Sequence, residues 1–175
     1  MARAFEDGRY ARGEVAFTQS PAMDIQVSSN FERLYFEAVG RDGLATARAF
    51  EDFAQSGALD IPAEAHAKMR ELFSGASVSE AETADTIRAV AVETGEVIDP
   101  HTAVAVTAAR RSATPLIALS TAHPAKFPEA VEAACGVAPT APARATCLAA
   151  LPERFDRLPA SGAAVMAYIR EFAGA

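Results

Sequence analysis

"LIALSTAHPAKFPEAVEAACG", from Leu116 to Gly136, decides how the chain is read. With Pro115 before it, "PLIALS" is short, apolar and continuous, the pattern of a strand buried on both faces. Hydroxyls at Ser120 and Thr121 follow, then His123 and Pro124, which opens a helix that Gly136 closes. A strand handing over to a helix is the repeating step of α/β architecture. In open α/β sheets, ligands bind beyond the carboxyl ends of strands, where a helix N-terminus offers free N–H groups. The same residues also fit a plainer role, because Ser120, Thr121 or His123 can simply cap the helix.

Working outward, apolar spacing and stop signals predict about seven helices and two to four short strands. Ser29-x-x-Glu32 and Ser79-x-x-Glu82 are capping-box patterns, each followed by an amphipathic run. Asp99-Pro100 opens another helix, and the last is expected over Ser161–Ala173. Besides "PLIALS", short extended pieces are expected at Glu14–Gln19, at the alternating Met23, Ile25 and Val27, and at Val97–Ile98. So few strands make only an incomplete sheet. The expectation is an α/β chain, helix-rich, with residues 1–175 forming one incomplete domain. The helix-like start at Met1 has no capping lead-in and reads as a cut.

Composition narrows the partners. The chain has 175 residues, half of them hydrophobic, and a formal net charge of −7, which disfavours nucleic acid and anionic membrane. Two cysteines suggest neither a disulfide scaffold nor a zinc site, and no run is long enough to span a bilayer. A reducing cytoplasm is the expected compartment. Only two lysines occur, Lys68 and Lys126.

Two further segments carry polar residues where chemistry could sit. "IDPHTAVAV" (Ile98–Val106) puts Asp99 at a helix N-cap with His101 and Thr102 in the first turn. "SPAMDIQVSSNFER" (Ser20–Arg33) sets Asp24 between apolar neighbours and gathers Ser28, Ser29 and Asn30 before a helix. A helix start explains the first and a loop with a cap the second, although a buried Asp24 between Met23 and Ile25 would need polar partners. No His-x-x-x-His pair, carboxylate cluster, nucleophile elbow or glycine-rich phosphate loop is present.

In this order, "SPAMDIQVSSNFER", "IDPHTAVAV" and "STAHPAKFPEAVE" resemble segments of threonine synthase, a fold-type II pyridoxal-phosphate enzyme. The resemblance covers nearly the whole chain. It implies a helix-rich C-terminal part of that fold and, for the complete enzyme, conversion of O-phosphohomoserine and water to threonine and phosphate. It implies that Thr121 is the hydroxyl meeting the pyridine nitrogen, a role suited to a neutral donor. Asp99, His101 and Thr102 match the segment beside the cofactor ring. Asp24, Ser28, Asn30, His123 and Lys126 match the vicinity of the substrate site.

The resemblance also implies a Schiff-base lysine and a glycine-rich loop for the cofactor phosphate, in a part of the family's sequence upstream of anything matched here. Lys68 lies on an amphipathic helix, and Lys126 belongs to the "HPAKF" element. No residue of this chain is therefore expected to be catalytic by covalent anchoring, no metal is expected, and the chain alone is expected to bind no pyridoxal phosphate. Other readings are a binding module that complements a separate N-terminal half, and a scaffold that has lost catalysis. An incomplete domain is expected to expose an apolar face through which it could self-associate.

Overall fold

The computed structural model describes residues 1–173 and divides into two compact units, Met1–Thr140 and Ala141–Ala175. In the first unit α1 (Ala2–Asp7) leads into β1 (Arg9–Ala11). Then come α2 (Phe31–Ala38), α3 (Gly43–Ser56), β2 (Ala58–Asp60), α4 (Ala63–Leu72), α5 (Glu80–Thr94), α6 (Pro100–Arg110) and α7 (Pro128–Cys135). The second unit contains α8 (Gly162–Ala173).

The strands β1 and β2 pair antiparallel, with Tyr10 opposite Leu59 and Arg9 opposite Asp60. A strand alternates its side chains between faces. Tyr10 and Leu59 accordingly point into the core, while Arg9 and Asp60 form an exposed ion pair at 2.9 Å. The Tyr10 ring packs on Phe31 and Phe53, at centroid distances of 4.3 and 5.0 Å. Around this aromatic centre gather Phe5, Tyr35, Ile61, Ala65 and Met69. A second, smaller core joins α5, α6 and α7 through Ile87, Ala103 and Ala134.

Several helix ends follow the sequence signals. Ser79 and Glu82 form a reciprocal capping box on α5, and Arg111 reaches the same Glu82 carboxylate at 2.7 Å. The Ser79 backbone N–H, then its hydroxyl, then the Arg111 guanidinium hold the Glu82 carboxyl below the usual carboxylate range. Gly136, at φ 72°, closes α7 in the left-handed region. Gly75 has a different reason. It lies beyond the end of α4, where an added Cβ would stand 2.8 Å from Ala2 Cα.

Other expectations fail. Ser29-x-x-Glu32 forms no capping box, because Asn30 already has helical dihedrals and the turn starts at Ser28, whose carbonyl accepts from the Phe31 N–H. "PLIALS" is not a buried strand: Leu116, Ile117 and Leu119 are 59%, 90% and 70% exposed. Nor do Glu14–Gln19, Met23–Val27 or Val97–Ile98 form strands, and Phe17 is 96% exposed. A strand needs a ladder partner, and the sheet among the described residues consists of β1 and β2 alone. The incomplete sheet is thus present, but built from other residues. None of the described helices is long and apolar enough to cross a membrane.

In the second unit, α8 presents Val165, Met166, Ile169 and Phe172 to solvent, all at least two-fifths exposed. Tyr168 donates to Asp156 at 2.6 Å and packs its ring near Phe172.

Two outcomes test this fold. Met69→Ala should cost about 2–5 kcal/mol in urea unfolding, because Met69 is buried in the aromatic core, whereas Ile117→Ser should stay within about 0.5 kcal/mol. Glu82 has a depressed folded-state pKa, so its stabilising contribution is complete above its unfolded pKa and is lost as pH falls through the folded value. Unfolding midpoints of Glu82→Gln should therefore fall less steeply on acidification than those of the unchanged chain.

Candidate functional site

The segment after "PLIAL" meets the N-terminus of α6. Pro100 occupies the first helical position, where its missing N–H costs nothing. Asp99 precedes it as N-cap, with no exposed surface. Its carboxylate accepts from the His101 N–H at 2.9 Å and from the Thr102 N–H at 3.4 Å. His101 Nδ1 stands 3.2 Å from the same Oδ1, and the Thr102 hydroxyl donates to Oδ2. A carboxylate taken out of water needs such donors, and the positive end of a helix adds to them.

This cluster reaches the segment that follows. Ser120 Oγ lies 3.3 Å from Thr102 Oγ1. The His101 ring packs on Phe127, with centroids 4.8 Å apart, and Lys126 Nζ sits 5.7 Å from the Phe127 centroid. His123 caps the short 3₁₀ turn Pro124–Lys126, its Nδ1 accepting from the Ala125 N–H at 3.2 Å. Thr121, between Ser120 and this turn, is exposed, and its hydroxyl makes no hydrogen bond among the described residues. His101 Nε2 is buried without a partner among the described residues.

Of the residues singled out in the sequence, Asp99, His101, Thr102, Thr121, His123 and Lys126 thus lie on two adjoining segments. Asp24, Ser28 and Asn30 belong to another locus. Asp24 is half-buried and accepts from the Thr18 N–H and hydroxyl, at 2.8 and 2.6 Å. The Ser28 N–H donates to Tyr10 Oη at 2.6 Å. Asp24 and Ser28 line a cavity of about 680 Å³ together with Arg3, Glu6 and Glu80, while Asn30 is outside its lining, at the N-cap position of α2. Among the described residues no hydrogen bond joins the two loci, and no three metal-ligating side chains converge.

Ser120 and Tyr10 matter more than the sequence suggested. Ser120 was a candidate helix cap, and its link to Thr102 spans 18 positions. Tyr10 lies in a three-residue strand with no periodic signal.

Several known proteins are similar to this chain in sequence and fold. A family profile described as "Threonine synthase, C-terminal" matches residues 102–169. Threonine synthase of Pseudomonas aeruginosa is 42% identical over 174 residues, a match covering 97% of this chain and 37% of that protein. The crystal structure of PLP-bound threonine synthase from Brucella melitensis superposes with a TM-score of 0.86 at 44% identity, covering 99% of this chain and 38% of that one. Yeast threonine synthase superposes with a TM-score of 0.79 at 29% identity, covering 100% of this chain and 40% of that one. The chain therefore spans little more than a third of the length of the relatives it matches. By sequence and by fold, it corresponds to the C-terminal region of threonine synthase.

Proposed function

We propose that residues 1–175 are one incomplete domain of a threonine synthase and form the rear wall of its cofactor pocket. The complete enzyme, a phosphate-eliminating lyase of the cytoplasm, converts O-phosphohomoserine and water to threonine and phosphate. The observation that carries this reading is Thr121: an exposed hydroxyl without a partner among the described residues, on a segment tied to the buried Asp99 cluster.

That hydroxyl suits the ring end of pyridoxal phosphate, because a neutral donor can meet the pyridine nitrogen without forcing it to carry a proton. When bound, the cofactor supplies an electron sink for the carbon acids of the substrate. Thr121 orients the ring, and the Asp99–Thr102–Ser120 contacts hold the segment that bears Thr121. His101 and Phe127 close the space behind it and exclude water. Asp24 and Ser28, on the cavity wall, lie toward the substrate side, with Asn30, His123 and Lys126 nearby in the complete enzyme.

The anchoring end is not supplied here. Lys68 is paired with Glu64 at 2.9 Å on the outer side of α4, and Lys126 rests beside Phe127. Neither suits a Schiff base with a ring that faces Thr121. The lysine and the phosphate-binding loop lie on the N-terminal part of the enzyme, which packs on the exposed apolar residues Leu116, Ile117 and Leu119. Left without that part, the same residues favour self-association.

The purified chain incubated with pyridoxal phosphate and borohydride should acquire no stable chromophore. Co-expressed with the N-terminal part of a threonine synthase, it should acquire the cofactor's absorbance and release phosphate from O-phosphohomoserine. Thr121→Val in that complex should shift the absorbance and lower turnover about tenfold or more, the worth of one hydrogen bond of about 1.4 kcal/mol. A reducible chromophore on the isolated chain, or a complex indifferent to Thr121→Val, would overturn the reading.

A further inference from the structure

The contacts around Asp99 fix more than the start of a helix. A carboxylate oxygen only accepts hydrogen bonds, so every group within reach of this one must donate. His101 Nδ1, 3.2 Å from Asp99 Oδ1, then carries a hydrogen. The other ring nitrogen, Nε2, is buried with no hydrogen-bond partner among the described residues, so a second hydrogen there would be stranded. The ring is left as the Nδ1–H tautomer with a bare lone pair on Nε2. Thr102 has one hydroxyl hydrogen, and Asp99 Oδ2 takes it. Ser120 Oγ, 3.3 Å from Thr102 Oγ1, can join the chain only by donating its own hydrogen inward.

We propose that Asp99 is a positioning residue that assigns the hydrogens of its neighbours: Nδ1–H on His101, O–H of Thr102 toward Asp99, and O–H of Ser120 toward Thr102. Ser120 then offers only lone pairs to anything beyond it, and Thr121 is the one of the two adjacent hydroxyls still able to donate. A ligand nitrogen bearing a lone pair pairs with Thr121 and is refused by Ser120. The identity of that ligand rests on the function proposed above; the hydrogen assignment does not. The arrangement also makes His101 Nε2 an acceptor, suited to a donor group that the described residues do not provide.

The test is nuclear magnetic resonance on the ¹⁵N-labelled chain without cofactor, so it can fail or succeed independently of cofactor binding. The chain has three histidines, His66, His101 and His123, which long-range ¹H–¹⁵N spectra resolve by tautomer. His101 should be the Nδ1–H form. In Asp99→Asn the amide oxygen stays with the two backbone N–H groups and the His101 ring, the amide N–H₂ takes the place of Oδ2 and donates to Thr102 Oγ1, and the Thr102 hydroxyl should turn outward toward Ser120. Two readouts need no change at Asp99. The Thr102 hydroxyl hydrogen should exchange slowly enough to be observed, and the Ser120 side chain should occupy one rotamer that Thr102→Val releases to averaging. An Nε2–H or averaged His101 in the unchanged chain, a Thr102 hydroxyl resonance unmoved by Asp99→Asn, a Thr102 hydroxyl lost to exchange, or a Ser120 rotamer averaged from the start would each overturn the proposal.

Discussion

The carboxylate of Asp99 is the constraint on which the candidate site depends. Moving an ionised carboxylate out of water costs several kcal/mol unless donors replace the lost hydration. Here the replacements come from the next three residues: two backbone N–H groups, the His101 ring and the Thr102 hydroxyl. Asp-Pro-His-Thr is therefore a self-satisfying unit. It sets where α6 begins, Ala103 just beyond it packs on Ile87 of α5, and Ala134 of α7 completes the same small core. Through Thr102 and His101 the unit holds both Ser120 and Phe127, so one carboxylate registers both ends of the segment that contains Thr121.

Against this firm corner stands surface that water alone does not explain. Leu116, Ile117, Leu119 and Phe17 are each more than half exposed, and on α8 so are Ile169 and Phe172. Soluble proteins leave single apolar side chains in water freely, but consecutive ones mark contact with other polypeptide. The relatives of known structure are more than twice as long as this chain. Under the function proposed above, apolar composition at Leu116–Leu119 serves contact with the rest of the enzyme; within the fold described here it buries little.

Local signals in the sequence proved readable. The Asp99 cap, the Ser79–Glu82 box, the Gly136 stop and the α8 boundaries depend on residues a few positions apart. Ser29-x-x-Glu32 had the right residues but the wrong backbone, since the helix starts one residue later. Strands were less readable. β1 and β2 are three residues each, too short for alternation to register, and their pairing joins positions about fifty apart. "PLIALS" carries the composition of a buried strand without the neighbours that would bury it. The candidate site was proposed from the sequence as three segments, through resemblance and capping logic. That Asp99 is sealed, that Ser120 is tied to Thr102, and that Asp24 and Ser28 face a cavity are tertiary facts with no local signature.

The central claim is that these residues wall a pocket completed by polypeptide outside this chain. Hydrogen exchange measured on the chain before and after assembly with the N-terminal part of a threonine synthase and pyridoxal phosphate tests it most directly. The account predicts that protection rises most across Leu116–Lys126, while amides of the α6 first turn, already slow in the chain alone, change little. Unaltered exchange across Leu116–Lys126 in an assembled, cofactor-bearing complex would contradict it.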